Sequence, residues 1–223
     1  LTDWVLGSLP QQGIDVVSLA ISPNFVHDGV LFAGTLDYGI LHSVDRGISW
    51  EPRHYGLMDL GVLSVAISPN YAADQLVVAG TTTGLYFSPN GGLAWIESVV
   101  PTTDDPVLTI DFSPSGVDGE EILAGTEKGM VWQSKDAGRT WNNIDSPCEG
   151  KSINSILVSL DLDVGKVVLL GAAGSLYWAV DGESYWESLQ TGAPVLSLGG
   201  GYGTNGKPYM LAGIQDKGIW HGN

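Results

Sequence analysis

Carboxylates are the side chains of this sequence with the greatest capacity for chemistry. The 223 residues include 25 Asp and Glu against nine Lys and Arg, and the formal net charge is −16. Two carboxylates across a cleft can hydrolyse a glycosidic bond, with one as the acid and the other as the base or nucleophile. The same negative charge repels nucleic acids and anionic membranes, so we expect no nucleic-acid partner. The apolar stretches are too short for a membrane helix, so no membrane insertion is expected.

Candidate ligand-binding residues lie in the polar loops between apolar runs. The acids there are Asp15, Asp37, Asp59, Asp104, Asp105, Glu127, Glu149 and Asp216, and rings are added by Tyr38, His54 and Tyr55. The candidates selected are Asp37, Tyr38, His54, Tyr55, Asp104, Asp105, Asp111, Glu127 and Asp216. Any of these acids could form a pair and no spacing singles out one pair, so no catalytic residue is predicted.

Asp111 differs from the other acids because it interrupts an apolar strand pattern. The equivalent positions of the other repeats hold Ala20, Ala66, Leu157 and Gly199. Burying a carboxylate without partners is costly. We expect Asp111 either to lie in a wet central channel or to pair with backbone amides, and we place a structural role ahead of a functional one.

The histidines and the cysteine show no pattern of a metal site or a reactive thiol. No metal-ligand spacing relates the four histidines, which are His27, His42, His54 and His221. Cys148 is the single cysteine, and its neighbours Pro147 and Gly150 indicate an exposed turn without a local base. We therefore predict neither a metal nor a cofactor.

A regular spacing of tryptophan indicates which elements position these residues. Trp4, Trp50, Trp95, Trp141 and Trp186 are 46, 45, 46 and 45 residues apart, which is the period of a repeated structural unit. Each unit contains short β-branched or aromatic runs bounded by Gly, Pro, Asn and Asp, a pattern typical of β-strands. No segment has a sustained helical period, so almost no helix is expected.

Five such units predict an all-β, five-bladed β-propeller with four antiparallel strands in each blade. The predicted blades span about 15–54, 62–100, 106–146 and 152–190, and the fifth combines 194–223 with 1–9 in a single domain. The last unit lacks its fourth strand, whereas the chain begins with an unpaired strand around Trp4. We therefore expect the N-terminal strand to complete the fifth blade and close the ring, which removes its exposed edges.

A turn of constant residue types precedes each of the four internal tryptophans. It reads Ser43-Val44-Asp45-Arg46-Gly47-Ile48-Ser49-Trp50 in the first blade and Ser134-Lys135-Asp136-Ala137-Gly138-Arg139-Thr140-Trp141 in the third; the second has Asn90, Gly92 and Trp95, and the fourth has Asp181 and Trp186. The Asp or Asn can accept hydrogen bonds from the amides ahead of it. The glycine allows a positive φ, and the tryptophan buries a large surface.

This S-x-D-x-G-x-[ST]-W pattern resembles the Asp-box, also called the BNR repeat, and the resemblance covers essentially the whole chain. It implies a β-propeller of the type found in sialidases, xyloglucan-type glycoside hydrolases, sortilin-like receptors and photosystem assembly factors. In that family the boxes are structural turns on the face opposite the usual ligand site. The resemblance thus implies structural roles for Asp45, Asp136 and Asp181, although the fourth box departs from the pattern at Ala179, Glu183 and Tyr185.

The residues argue against two of these relatives. A sialidase needs a cluster of arginines to hold the substrate carboxylate, and this chain has only Arg46, Arg53 and Arg139, two of them inside the turns. The assembly factors have more blades and a basic patch, whereas this chain is short and acidic.

We interpret the chain as a non-catalytic recognition or scaffold module that binds a protein or carbohydrate ligand on the loop face opposite the turns. The alternative is a carbohydrate-active protein, either a glycoside hydrolase or lyase or a lectin, that uses acidic and aromatic residues of that face. Unequal loop lengths favour one composite site. We expect a monomer or a part of a larger protein; the compartment is not determined by the sequence, and a secreted or extracytoplasmic one is our interpretation.

Overall fold

Nineteen strands form five antiparallel sheets in the residues that the computed structural model describes, which are 5–100, 104–114, 121–161, 165–180, 185–202 and 208–222. The first blade contains β1 (Val16–Ile21), β2 (Leu31–Thr35), β3 (Ile40–Ser43) and β4 (Glu51–Pro52); the second, β5 (Val62–Ile67), β6 (Val77–Thr81), β7 (Leu85–Ser88) and β8 (Ile96–Glu97). The third contains β9 (Val107–Phe112), β10 (Ile122–Thr126), β11 (Val131–Ser134) and β12 (Asn142–Ile144). The fourth contains β13 (Ile153–Asp161), β14 (Gly165–Ala172), β15 (Ser175–Val180) and β16 (Glu187–Gln190); the fifth, β17 (Val195–Tyr202), β18 (Pro208–Ile214) and β19 (Gly218–Gly222).

The sheets follow one another as the blades of a five-bladed β-propeller. Within each sheet the strands pair in sequence order. Along the series of innermost strands β1, β5, β9, β13 and β17, each of the first four packs against the next. Among the described residues, the helical content is confined to two single turns, α1 (Phe25–Asp28) and α2 (Tyr71–Asp74), in the loops between the first and second strands of the first two blades. The predicted all-β, five-bladed fold class is confirmed. Closure of the ring by the N-terminal strand stays a prediction, because among the described residues the fifth sheet contains three strands and residues 1–4 lie outside them.

Apolar side chains bury each junction between neighbouring blades. At the first junction, Phe32 and Ile40 pack with Val65 on the innermost strand of the second blade. At the third junction, Leu123 and Val131 pack in the same way with Ile156. The strand residues therefore alternate between the two faces of a blade, and both faces are apolar because each is covered by a neighbouring blade.

A glycine in the second strand of each of the first four blades lets the next blade approach closely. A Cβ added to Gly80 would lie 2.6 Å from Val107 Cγ1, and one added to Gly125 would lie 2.6 Å from Ile153 Cγ2. The same contact joins Gly34 to Val62 and Gly171 to Val195. The repeated glycine is thus required by the β-branched residue that begins the next innermost strand.

The described N-terminal residues lie beside the first blade. The Ser8 amide donates to Ile48 O at 2.8 Å, and Trp50 donates its amide to Ser8 O at 3.0 Å. Val99, which follows the fourth strand of the second blade, makes the same parallel contact with the third blade. This contact supports the assignment of the N-terminal segment as a displaced fourth strand; Trp4 and the rest of residues 1–4 lie outside the described residues.

Candidate functional site

Side-chain hydrogen bonds close the repeated turns between third and fourth strands. Asp45 Oδ1 accepts from the Ser49 amide at 2.9 Å, and Asp45 Oδ2 accepts from the Ser49 hydroxyl at 2.6 Å. These donors, with the Ser43 hydroxyl, lower the pKa of Asp45 to about 2. Asp136 accepts from Thr140 in the same way. The carboxylates of Asp45 and Asp136 therefore accept hydrogen bonds within their own turns.

The other turn residues repeat this geometry where the structure describes them. Asn90 Oδ1 accepts from the Ala94 amide at 3.0 Å and so replaces the carboxylate in the second turn. The three turn glycines have positive φ and donate their amides to a serine hydroxyl; they are Gly47 with Ser43, Gly92 with Ser88, and Gly138 with Ser134. Asp181 of the fourth turn lies outside the described residues.

The periodic tryptophans tie the turns to the blades. Trp141 is buried and donates from Nε1 to Gly138 O, and the half-buried Trp50 donates to Gly47 O in the first turn. Trp95 Nε1 instead reaches Arg53 O in the preceding blade at 2.7 Å, and Trp186 Nε1 reaches Asp145 O at 3.1 Å. Each of these indole nitrogens is thus hydrogen-bonded to a backbone carbonyl, either of its own turn or of the preceding blade.

A second repeated turn, which was not predicted from the sequence, lies between the first and second strands of the first two blades. In the first blade the Ser22 hydroxyl donates to Asp28 Oδ2 at 2.6 Å, and Asp28 Oδ1 accepts from the Val30 amide. Ser68 and Asp74 make the same bonds in the second blade. The signal that could have revealed this turn is a Ser-Pro-Asn tripeptide followed by Asp six residues after the serine.

On the face opposite the repeated turns, backbone hydrogen bonds join pairs of loops within a blade. The residue that follows the second strand donates its amide to the carbonyl of a residue just before the first strand of the same blade. These pairs are Leu36 with Asp15, Thr82 with Gly61, Glu127 with Pro106, and Gln215 with Pro194. The candidates Asp37, Tyr38, Glu127 and Asp216 all belong to these loops.

Tyr38 and His54, both half-buried, form the core of a surface patch between the first and second blades. Their rings meet edge to face with centroids 5.9 Å apart. Gly39 donates its amide to Leu60 O, and a Cβ on Gly39 would clash with His54, so the glycine holds His54 and Leu60 together. We call Leu36, Tyr38, His54 and Leu60 the Tyr38–His54 patch; both leucines are exposed.

The acid beside this patch is fully engaged by its own loops. Asp59 accepts hydrogen bonds from the Gly61 amide, the Thr82 hydroxyl, and both the amide and hydroxyl of Thr83, at 2.7 to 3.0 Å. Although burial raises the pKa of Asp59, these donors outweigh it and the pKa lies below its ordinary value. Asp59 thus fixes the loop rather than presenting a free carboxylate. Asp37 is exposed next to Tyr38.

A separate group of candidates lies on the third blade. Asp105 is buried and its Oδ1 accepts from the Lys128 amide at 2.9 Å, while Lys128 Nζ donates to Asp104 O. Within the described residues, Asp105 Oδ2 has no hydrogen-bond partner. Glu127 is exposed beside them. These contacts hold two loops of one blade together.

Asp111 bridges the third and fourth blades through backbone amides. Its Oδ2 accepts from Val158 at 2.7 Å and its Oδ1 accepts from Phe112 at 3.0 Å. Burial raises the pKa of Asp111 to about 6, and the two amide donors oppose that rise. Of the two sequence expectations, pairing with backbone amides matches this geometry.

Of the remaining candidates, Tyr55 follows His54 directly and Asp216 lies on the fifth blade. The Tyr55 side chain is exposed, and the Tyr55 carbonyl accepts from the Trp95 amide at 2.9 Å. Asp216 is exposed on the fifth blade with a φ of 57°. The nine candidates therefore fall into groups on different blades, which differs from the single composite site that unequal loop lengths suggested.

The expectation that Cys148 lies in an exposed turn is wrong. Its side chain is fully buried in the apolar cluster between the third and fourth blades, because the loop folds back onto that junction. Burial raises the pKa of the thiol to about 11, so it is not a nucleophile at neutral pH. In the part of the chain that the structure describes, no group of His, Cys, Asp or Glu could hold a metal ion.

A cavity of about 340 Å³ between the fourth and fifth blades was not predicted from the sequence. Its walls include Leu169, Trp178, Leu189, Met210 and Trp220. Trp178 and Trp220 lie outside the 45-residue series, which is the sequence signal that could have drawn attention to this junction. At the other junctions a periodic tryptophan packs between blades, and the described part of the fifth blade supplies none.

Comparisons with known proteins identify relatives by structure and not by sequence. No protein-family model matches the chain, and no curated protein matches it. An ancestral GH74 enzyme aligns with a TM-score of 0.69 and 21% identity over 94% of this chain and 28% of that chain. The GH74 enzyme of Niastella koreensis aligns with a TM-score of 0.66 and 18% identity over 92% and 38%.

A third neighbour is the extracellular domain of a protein described as the hybrid two-component system BT4673 of B. thetaiotaomicron. It aligns with a TM-score of 0.69 and 18% identity over 93% of this chain and 27% of that chain. This chain thus spans between 27% and 38% of the length of these three neighbours. No described helix has the length and apolar character to cross a bilayer. The property shared with these neighbours is the β-propeller fold.

Proposed function

We propose that this chain is a non-catalytic recognition module that binds its ligand at the Tyr38–His54 patch. The observation that supports this most directly is the contrast between the patch and the acids. Leu36, Leu60 and the two rings present apolar surface among polar loops, a property typical of binding sites. Asp59, Asp105 and Asp111 accept bonds from their own chain.

The chemistry of the patch favours a ligand with both apolar faces and hydrogen-bonding edges. Tyr38 offers a ring face with a hydroxyl, and His54 offers a second ring at right angles. The exposed carboxylate of Asp37 adds an acceptor beside them. A sugar ring or a protein loop with aliphatic and amide groups has this character, and the frame of five packed blades keeps the patch rigid.

We also interpret the repeated turns as Asp-boxes. The bonds of Asp45 and Asp136 to the residue four positions ahead, together with the 45-residue period, support this interpretation. It gives these carboxylates a scaffold role and leaves the opposite face for recognition.

A glycan array followed by thermal-shift measurements tests this proposal with three proteins. They are the wild type, Tyr38→Ala in the patch and Tyr185→Ala, an exposed tyrosine next to the fourth turn that serves as the control. We expect a ligand to raise the melting temperature of the wild type and of Tyr185→Ala but not of Tyr38→Ala. A ligand that stabilises all three proteins equally would place the binding site elsewhere.

The second candidate function is that of a carbohydrate-active enzyme, favoured by the structural likeness to two GH74 enzymes. Such an enzyme needs two carboxylates on opposite sides of a sugar. Release of reducing ends from a bound glycan, abolished by Asp37→Asn, would establish this function and overturn the non-catalytic one. Binding without release would support the recognition module.

A further inference from the structure

The two ends of the row of blades carry exposed apolar sheet faces. The leading face lies on β1 and contains Val16, Leu19 and Ile21; the trailing face lies on β18 and β19 and contains Leu211, Gly213 and Ile219. Leu19 and Ile21 are 66% and 61% exposed, and Leu211 and Ile219 are 48% and 76% exposed. Such apolar faces are costly in water unless something covers them.

Each face is one half of a surface that is buried at the internal junctions. The strand registers make Val65 and Ile156 equivalents of Leu19, and both are buried against the preceding blade. The other two equivalents, Ile110 and Leu198, are half-buried. The equivalents of Ile219 in the first three blades are fully buried under the following blade; they are Ile40, Leu85 and Val131. Leu176, the equivalent in the fourth blade, is half-buried. The leading and trailing faces therefore have complementary chemistry.

At each internal junction a β-branched residue packs over a glycine of the preceding blade. One partner of this contact is left without the other at each end of the row of blades. Val16 occupies the register position of Val62 and Val107, each of which sits over a glycine of the preceding blade. Gly213 occupies the register position of the glycines, yet the nearest atoms to a Cβ added there belong to Ser197 of its own blade. Val16 is exposed. The valine side chain and the space above a glycine that would receive it are thus both present, at opposite ends of the molecule.

We infer that a second copy of this chain covers these faces, with the trailing face of one copy packed on the leading face of the next and Val16 over Gly213. Within one copy the leading and trailing faces are both exposed and do not cover each other, whereas a second copy supplies the missing half of a junction that this chain already forms four times. Among the described residues, no strand pairs with the outer edge of β19, which belongs to the same end. Because the two faces differ, the interface is heterologous and each dimer retains one face of each kind.

Sedimentation velocity of the full chain over about a hundredfold range of concentration tests this inference. The measurement uses about 0.5 M salt because each copy carries a formal charge of −16 that opposes association. We expect the mean mass to rise with concentration beyond that of one copy. A wild type that sediments as a single copy throughout, as intramolecular closure of the ring would give, overturns the inference.

Two variants distinguish association through this interface from non-specific association. Leu19→Asp blocks the leading face and Ile219→Asp blocks the trailing face; each should be monomeric alone, whereas an equimolar mixture should form a dimer of about twice the mass. Leu93→Asp, on an exposed residue of the second turn, should associate as the wild type does. A mixture that stays monomeric contradicts the inference.

Circular dichroism confirms that the variants are folded, which we expect because both residues are exposed in a single copy. If Ile219→Asp does not fold, Gly213→Val takes its place, since a side chain there fills the space that Val16 needs. It should show the same complementation with Leu19→Asp. This experiment does not involve the Tyr38–His54 patch, so its outcome is independent of the proposed function.

Discussion

The carboxylate of Asp111 on the third blade accepts a hydrogen bond from the backbone amide of Val158 on the fourth blade at 2.7 Å. Hydroxyl oxygens accept equivalent bonds: Ser18 Oγ from the Val65 amide between the first and second blades, and Thr109 Oγ1 from the Ile156 amide between the third and fourth. Asp111 therefore extends a series of side-chain links between innermost strands, and at this position the link carries a titratable group.

Asp111 should make the folded state more stable in mild acid than at neutral pH. Its pKa is about 6 in the folded protein and 3.8 ordinarily, so the folded state holds the proton more tightly. The resulting stabilisation, at most roughly 3 kcal/mol, is complete below about pH 4 and is lost as the pH rises through about 6. Urea unfolding of the wild type and of Asp111→Asn at several pH values measures the difference. Parallel pH profiles for the two proteins would contradict this assignment.

Trp141→Ala should be more destabilising than Trp50→Ala. Trp141 is only 2% exposed, and its removal leaves a cavity between the second and third blades that should cost roughly 3–5 kcal/mol. Trp50 is half-buried, so part of its contact is with solvent and the loss is smaller. Guanidinium unfolding curves of both variants provide the comparison. Equal losses would contradict the difference in packing between the first and third turns.

Gly125→Ala should lower the free energy of unfolding by roughly 1–3 kcal/mol because the new Cβ overlaps the Ile153 side chain of the next blade. Gly84→Ala is the control, since no heavy atom of the described residues lies within 4 Å of its added Cβ. Thermal unfolding of the two variants distinguishes the close approach from the general effect of replacing glycine. A Gly125→Ala protein as stable as Gly84→Ala would argue against that approach.

Asp136→Ala should destabilise the third turn by about 1 kcal/mol, because the Thr140 amide and hydroxyl lose their acceptor. Asp136→Asn should cost less, since Asn90 performs the same task in the second turn. Asp37→Ala, on an exposed loop residue, should change stability by no more than about 0.5 kcal/mol. Urea titration of the three variants checks this order. An Asn variant as unstable as the Ala variant would show that the charge is essential.

The repeat made the fold predictable because each blade is specified by local signals. The Trp period, the Ala-Gly-Thr step of β2, β6 and β10, and the turn residues occur in the order in which the strands pair. Gly34 and its equivalents were recognised as part of that step, but their role depends on a residue of the next blade, which a strand pattern does not reveal.

The candidate site was harder to predict than the fold. An acidic residue in a polar loop gives the same sequence pattern whether its carboxylate is exposed or hydrogen-bonded within the protein. Asp59 and Asp37 both lie in polar loops, yet Asp59 accepts four hydrogen bonds and Asp37 is exposed. Cys148 was misplaced for a related reason. Its polar neighbours indicated a surface turn, whereas the backbone bends so that the thiol points into the junction.

The packing of each innermost strand on the next has an energetic consequence. Because a blade contacts mainly its two neighbours, the free energy of folding behaves as a sum of blade terms and nearest-neighbour terms along one dimension. Among the described residues, the fifth blade has the smallest buried cluster and adjoins the cavity. We therefore expect unfolding to begin at that end and to proceed blade by blade, so that the unfolding midpoint depends on which blade carries the spectroscopic probe.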